Sequence, residues 1–583
     1  MGQKRPKIQK KPFPFLYFIL YVLLLQILFL KIYITGEVFM NQKFSFFKLL
    51  CSFSTVLFFA ACSSDSGSNA ASEDSSSSYA DSGSSSSGTG NSSALVEGTS
   101  SSSIEGASSS GTGVSSSAGS ITSSSSEHSE GNTNALSTST WLTWTVPSSP
   151  TAGSYTTGDT AVSVTIAESG YTISNQGNKA IAASGNTLYI ASSGLYVLSG
   201  TKSDGQIRVT VDTSATVELV LNGVMMGNST NSPIFVERAD KVKLELPEGS
   251  VNIFSDASSY TFVEDNYFTA ADSVPKACIY SRDDMTLKGN GTLYVTGNYA
   301  NGIHIKADLL VNDDPVVYVN AVKHALKGKG SVIVNGGEFS LKTGDGDAIQ
   351  SDNESRSDKG YIKIEAGTFT MDVGSDAVNA YQALTVDGGT FNILAGDGSL
   401  DTSVSHKAFK SSVSQVVFNA GTVTVISQGD AIHAPTVSIS GGAFNIAAGD
   451  DGIQAQNYLY LRGGTGIITK SKKPILTGSS LTVTGGSWLG LGGGYDALMV
   501  PTANTAYSAV FELPSEIQSG ATVSIKDASG TEVYSATAGK KISSLFATSS
   551  SFTTGTYSVY AAGSLVCSFS FADGTSLATS CAQ

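Results

Sequence analysis

Charge is scarce in this 583-residue chain: Asp, Glu, Lys and Arg together make up only 14% of it. What charge there is leans acidic, 48 acids against 34 bases, for a net −14. A surface of that sign repels phosphate backbones, which argues against nucleic acid as a partner. It also repels acidic polysaccharide unless a cation lies between the two. Cysteine is sparse too, with five residues at positions 51, 62, 278, 567 and 581. None forms a Cys-x-x-Cys pair, so the spacing of a structural zinc site is missing. No Gly-x-Ser-x-Gly elbow and no Ser–His–Asp order stands out. Gly, Ser and Thr are abundant instead, a composition that suits a β-rich extracellular protein better than a helical enzyme.

The N-terminal region reads as targeting. Residues 13–34 are almost continuously apolar and, alone, long enough to span a bilayer. A second apolar run, residues 44–61, follows Met40-Asn41-Gln42-Lys43 and ends in Phe59-Ala60-Ala61-Cys62-Ser63-Ser64. Its positive start, apolar centre and small residues before a Cys resemble a bacterial lipoprotein signal. Translation is then expected from Met40, with residues 1–39 an upstream extension, residues 40–62 the signal, and Cys62 the lipidated residue. Phe59 stands where Leu is usual, and the alternative is an ordinary thiol in a plain signal peptide. Acyl chains hold a protein firmly, each buried methylene adding roughly 0.8 kcal/mol. Ser63 after the Cys favours the outer membrane or cell surface. Residues 63–140 are mostly Ser and cannot bury enough apolar surface to offset ordering entropy, so a flexible tether is expected.

Internal repeats dominate the rest. Leu384-Thr-Val-Asp-Gly-Gly-Thr-Phe-Asn-Ile393 alternates apolar residues, breaks at a Gly-rich turn and alternates again. The pattern returns from Val332, Ile362, Val416, Val437, Leu459 and Leu481, with weaker copies near Leu287 and Leu309. One inward position reads Leu293, Val316, Phe339, Phe369, Phe391, Val423, Phe444, Ile467, Trp488, in steps of 23, 23, 30, 22, 32, 21, 23 and 21 residues. A near-constant step of about 22 residues made only of short strands and turns describes coils of a parallel β-helix. An antiparallel sandwich would not hold one residue type at one phase through nine units. The Gly before each second strand suits a turn of positive φ.

A third strand follows in each coil, as Asn301-Gly-Ile303, His324-Ala-Leu326, Asp347-Ala-Ile349, Asp376-Ala-Val378, Lys407-Ala-Phe409, Asp430-Ala-Ile432, Asp451-Gly-Ile453, Lys473-Pro-Ile475 and Asp496-Ala-Leu498. Two coils are longer, through residues 351–359 and 397–406, and extra residues in a solenoid protrude as loops that shape grooves. Residues 141–200 are expected to cap the N-terminal end, with Trp141 and Trp144 over the first coil, and residues 201–502 to form the helix. Residues 503–583 read as a small β module, with a hairpin over 523–533, further strands over 556–560 and 567–571, and a Cys567–Cys581 disulfide open to an oxidising compartment.

The phased Gly-Gly-x-Phe turns, followed by Gly344-Asp-Gly-Asp-Ala-Ile-Gln-Ser351 or Gly449-Asp-Asp-Gly-Ile-Gln-Ala455, resemble a bacterial carbohydrate-binding domain family. It is typified by a clostridial cellulose-binding protein with a pectate-lyase-like β-helix. The resemblance extends from about Leu195 to Val559. It implies a right-handed parallel β-helix, binding of cellulose or pectin-like glycan, and bound calcium. The chain departs from the family's Asp-Asp-Gly-Ile at Lys323-His324, His406-Lys407 and Lys472-Lys473, which lowers the expected calcium count.

Calcium takes six to eight oxygens, and Asp at a turn of each coil places carboxylates about 4.8 Å apart, one coil to the next. The candidate ligands are Asp345, Asp347, Asp352, Asp376, Asp430, Asp450 and Asp451; the bland alternative is that each Asp caps its own turn. For stacking or hydrogen bonding to sugar rings the candidates are Tyr381, His433, Tyr458 and Tyr460. No catalytic residue is assigned. A polysaccharide lyase would need a base near the calcium, and Arg356, Lys359 and Lys407 form no recognisable constellation with the Asp series. The expected function is non-catalytic polysaccharide binding by a monomeric, lipid-anchored surface protein, with a lyase or a protein-binding adhesin as the alternatives.

Overall fold

A computed structural model describes residues 142–261, 275–397 and 404–583. The predicted signal, Cys62, the tether and Trp141 lie outside the described residues, as does part of the second long coil. Among the described residues there is strand, turn and one 3-10 turn at Ala497–Met499, and no α-helix.

Each strand obeys the two-residue period of a pleat. In Thr368–Val373 the alternate side chains Phe369, Met371 and Val373 are buried while Thr368, Thr370 and Asp372 face outward. Backbone groups cannot pair within so short a strand, so they pair with the equivalent strand one turn along the chain. Glu338–Thr343, Thr368–Val373, Thr390–Ala395, Thr422–Ser427 and Ala443–Ala448 form one such parallel stack. Ser331–Val334, Tyr361–Ile364 and Leu384–Val386 belong to a second. Leu326–Gly328, Ile349–Ser351, Val378–Ala380 and Phe409–Ser411 belong to a third. The result is all-β with a long, parallel-rich sheet, as a β-solenoid requires.

The stacks enclose an apolar column. Phe339, Phe369 and Phe391 lie ring over ring, with centroids 4.9 Å apart at both steps. The column continues edge-to-face through Phe409, Phe418 and Phe444 and reaches Trp488. Glycine makes the turn that aims each ring inward. Gly367 and Gly389 sit at φ 119° and 99°, and a Cβ on either would stand 2.9 Å from a carbonyl oxygen of the coil before.

The register corrects the inward series at two places. Val317, fully buried, pairs with Leu293 and Phe339, and Val316 points outward. Gly466 pairs with Phe444 and Trp488, leaving Ile467 outside. The physical reason is volume: the Trp488 ring fills the space a side chain at 466 would take, and a Cβ there would collide with it. The last expected third strand is also absent. Ala497–Met499 forms the 3-10 turn with Asp496 capping its start, and Leu498 is 44% exposed.

Trp144 lies against Tyr318, ring centroids 5.6 Å apart, and so does not cover the first coil. Thr151 bridges Val251 and the Ser154 N–H donates to the Glu248 carbonyl (2.9 Å), so this segment runs along the outside of several coils. At the other terminus, Thr522–Asp527, Glu532–Thr537, Gly555–Ala561 and Ser564–Phe571 form a four-stranded antiparallel sheet that shares an apolar core with Leu489, Leu491, Phe511 and Leu545 of the long sheet. Cys567 and Cys581 are joined in a disulfide, and Cys278 is a buried free thiol.

Replacing Gly466 by Ala is expected to cost about 1–3 kcal/mol in urea unfolding, the usual penalty of overpacking. Ile467→Ala, on the outer face, is expected to cost less. The reverse order of costs would restore the register read from the sequence.

Candidate functional site

The residue that opens each third strand does a structural task first. Where it is Asp, Asn or His, its side chain takes the backbone N–H of the equivalent residue one coil later. The Asp376 N–H donates to Asp347 Oδ1 (3.1 Å) and the Lys407 N–H to Asp376 Oδ1 (2.8 Å). The Asp451 N–H donates to Asp430 Oδ1 and the Lys473 N–H to Asp451 Oδ1, both at 3.0 Å. Asn301 and His324 continue the series at its N-terminal end: the His324 N–H donates to Asn301 Oδ1 (3.2 Å) and the Asp347 N–H to His324 Nδ1 (3.0 Å). An imidazole nitrogen that accepts must be unprotonated, and burial together with Lys327 pushes the His324 pKa down to about 4. The expected alternative of Asp capping its own turn is thereby corrected: these carboxylates cap the next coil, because a parallel stack leaves the neighbour's N–H pointing at them.

The second carboxylate oxygen distinguishes the candidates. Asp376 Oδ2 accepts from Lys410 Nζ (2.8 Å), Asp352 Oδ2 accepts from Lys327 Nζ (2.6 Å), and Asp345 is exposed beside Lys323 at 3.9 Å. Asp347 Oδ2 accepts from the amides of Gln350 (2.7 Å) and Asn379 (3.1 Å). Burial, followed by the Asp376 carboxylate, raises its pKa. Among the described residues these four acids join no converging cluster: Asp352 and Asp376 each accept from a lysine, Asp347 accepts from two amides, and Asp345 lies beside Lys323.

Asp430, Asp450 and Asp451 differ. An oxygen from each converges, all within 4.8 Å of one another, and Asp430 and Asp451 are buried. Three like charges so close are costly. Burial, then Asp430 and then Asp450 push the Asp451 carboxyl up to about 7. Lysine and histidine crowd the same cluster. His433 Nδ1 lies 2.8 Å from Asp430 Oδ2, Lys472 Nζ lies 3.2 Å from Asp450 Oδ1, and Lys407 Nζ lies 3.9 Å from Asp430 Oδ2. Hard oxygen donors, partly buried and converging, are the set that could hold a calcium-like cation.

His433 is therefore part of the acidic cluster, its Nε2 3.2 Å from Gln456 Nε2. Gln454, Gln456, Tyr458 and Tyr460 all stand on Ile453–Leu461. Tyr458 is 47% exposed, and its ring lies 6.4 Å from that of Tyr460 at 23°. The Arg462 guanidinium lies over Tyr460 at 4.3 Å. Tyr381 is half-buried on a different coil, one beyond Asp352, and is not brought to this group. Sequence reasoning missed the amides and lysines that partner the acids, Gln350, Asn379 and Lys410. Their signal was the position three after the residue that opens each third strand, which the outward phase of that strand places beside an acid of its own or the preceding coil.

These features define a β-solenoid with a polar outer face and one converging acidic cluster. Residues 184–452 match a family described as carbohydrate-binding domain-containing protein, so the resemblance read from the repeats is borne out over that segment. A curated protein of that description from Acetivibrio thermocellus is 44% identical over 122 residues, 21% of this chain and 41% of its own length. The chain thus matches less than half of that relative. A solved structure described as a polysaccharide lyase-like protein from C. thermocellum, a gadolinium derivative, is 30% identical. It aligns with 45% of this chain and 92% of its own, at a TM-score of 0.37.

The raised Asp451 pKa carries a sign. A carboxyl that moves from 3.8 unfolded to about 7 folded binds its proton more tightly in the native state, so it lowers stability as pH rises through that window. Asp451→Asn is expected to flatten the decline in urea stability between pH 4.5 and 7.5 relative to the native chain. An identical decline in both proteins would show that Asp451 keeps an ordinary pKa.

Proposed function

We propose that the protein is a non-catalytic polysaccharide-binding module of the cell surface. In this reading Cys62 carries the lipid anchor and residues 63–140 form the tether. The folded part is a right-handed parallel β-helix of about 22 residues per coil, closed at its C-terminal end by the β module. It binds a plant-type glycan, cellulose or pectin-like, with calcium held by Asp430, Asp450 and Asp451. The observation that carries the reading is the convergence of those three carboxylates beside a strand whose outer face offers Gln454, Gln456 and the Tyr458–Tyr460 pair. Amides suit sugar hydroxyls, and exposed aromatic faces suit sugar rings. The carbohydrate-binding description of the matching family supports the same ligand class.

The residues fit the ion in donor type: Asp430 and Asp451 each commit Oδ1 to the next coil, while Oδ2 faces only side chains that can move, His433 at 2.8 Å from Asp430 and Gln454 at 3.5 Å from Asp451. Lys472, whose side chain is 60% exposed, is free to leave Asp450 as the ion enters. Calcium would supply charge neutralisation among the acids and a bridge to sugar hydroxyls or a uronate. Asp430 and Asp451 would keep the neighbouring coils in register around it.

The lyase alternative needs an unpaired base beside the cluster. The bases beside it, His433, Lys407 and Lys472, each face an acid of the cluster itself, and Lys473 pairs with Asp496 at 2.9 Å. Of the bases named from the sequence, Arg356 pairs with Asp358, Lys359 pairs with Asp308, and Lys407 stands 3.9 Å from Asp430 Oδ2.

The test is retention of the full chain on insoluble cellulose and on polygalacturonate, in calcium and in EDTA, with released unsaturated sugar followed by absorbance. Retention that falls in EDTA, and falls again by about tenfold in affinity for Asp450→Asn in calcium, is expected, without product. Released product would make the chain a lyase, and no retention on any glycan would favour a protein-binding adhesin.

A further inference from the structure

The acidic average of this chain hides a column of cations. The register Ser281–Ile305–Gly328 aligns three neighbouring coils. It brings the next residues, Arg282, Lys306 and Lys329, into line one coil apart, and the amides of Lys306 and Lys329 bond back to Ser281 and Ile305. Adjacent parallel strands are about 4.8 Å apart, so these cations are neighbours. Like charges directly opposite on a sheet are destabilising. Such a column persists at a cost unless something of opposite charge shares it. The acid that follows in the same position, Asp352, accepts from Lys327 Nζ. Asp283, beside Arg282, accepts from the Ala239 N–H. Among the described residues no acid lies within ion-pair distance of Lys306 or Lys329.

A second observation lies two residues earlier on the same outward phase. His304 is 8% exposed, between Tyr280 and Lys327 in the register, and its Nε2 has no hydrogen-bond partner among the described residues. Its Nδ1 faces the Asn301 amide nitrogen at 3.5 Å, which assigns the ring proton to Nε2. A buried donor left without an acceptor costs about 1–3 kcal/mol. Burial and the surrounding lysines hold the imidazole neutral. The array therefore combines two lysines that no acid pairs, Lys306 and Lys329, with a neutral N–H donor that lacks an acceptor.

We propose that Arg282, Lys306, Lys329 and His304 form a subsite for an oxyanion-bearing saccharide, bound through its carboxylate or sulfate groups. The proposal rests on the glycan-binding reading above and adds to it a second recognition chemistry, coils away from the acidic cluster and independent of calcium. A chain of uronates laid along the solenoid axis would present repeated anions to cations repeated coil by coil. Neutral glycan has no use for the column, so the site sorts charged from uncharged polysaccharide.

The test is calorimetric titration of the full chain and of the Lys306→Gln/Lys329→Gln double variant, in EDTA, with oligogalacturonate, a sulfated oligosaccharide and a neutral cello-oligosaccharide. The expected result is oligogalacturonate or sulfated-chain binding at low salt that weakens with added salt, and weakens about tenfold or more in the double variant. The better of the two anionic ligands identifies the oxyanion. Cellulose retention in calcium is expected to be the same in both proteins. Without ligand, the double variant is expected to unfold at a higher temperature, because a like-charge column has been relieved. Equal anionic binding in the two proteins, no anionic binding in EDTA, or a lowered unfolding temperature would overturn the subsite. Retention on cellulose in calcium would then still support the glycan reading, so the two failures are distinguishable.

Discussion

The stacking of Phe339, Phe369 and Phe391 in one column sets which residue of each coil lies beside which residue of the next. Every outward side chain inherits its neighbours from that register. A parallel stack supplies no pairing within a coil, so each backbone amide depends on a neighbouring coil. The aromatic rings make the register unique, because a slip of one residue would turn every ring to solvent. The inner column therefore governs the outer surface, where recognition takes place.

The acids show how the two layers share one set of side chains. Asp430 and Asp451 give one oxygen to the N–H of the following coil and turn the other toward side chains of the outer face, His433 and Gln454. The inter-coil bond holds the carboxylate in place, which preorganises it at no further entropic cost. The same bond means that these acids cannot be relieved by swinging apart. Repulsion is instead met by protonation at Asp451, by His433 and by Lys472. Where a coil carries Lys410 or Asn379 beside its acid, the charge is satisfied internally and no convergence arises.

Charge is sorted along the solenoid. Cations line up at Arg282, Lys306 and Lys329, and acids converge at Asp430, Asp450 and Asp451. Stacking amplifies whichever sign a position holds, because the same phase recurs at every coil. A net charge of −14 says little about such a surface. Local potential depends on which coils are neighbours, and opposite signs in different coils give a single scaffold two surfaces of opposite charge.

Alternation and the Gly-Gly-x-Phe repeat were enough to determine the all-β class, the parallel stacking and most of the inward series, since only a period-two strand with one fixed phase buries Phe at every turn. The reading slipped at Val316 and Ile467, where two apolar residues are adjacent and alternation cannot choose between them; the packing of Trp488 against Gly466 decides the second. The recurrence of Asp was legible, but its consequence was not. Seven acids share similar motifs, yet three converge, because what separates them is the partner delivered by a neighbouring coil: Lys410 to Asp376, Lys327 to Asp352, and Asp451 to Asp430. The cation column was invisible for the same reason, its members being 24 and 23 positions apart in the chain and side by side in the fold. A linear pattern determines which side of a strand a residue occupies, and only the stacking of coils determines the company it keeps.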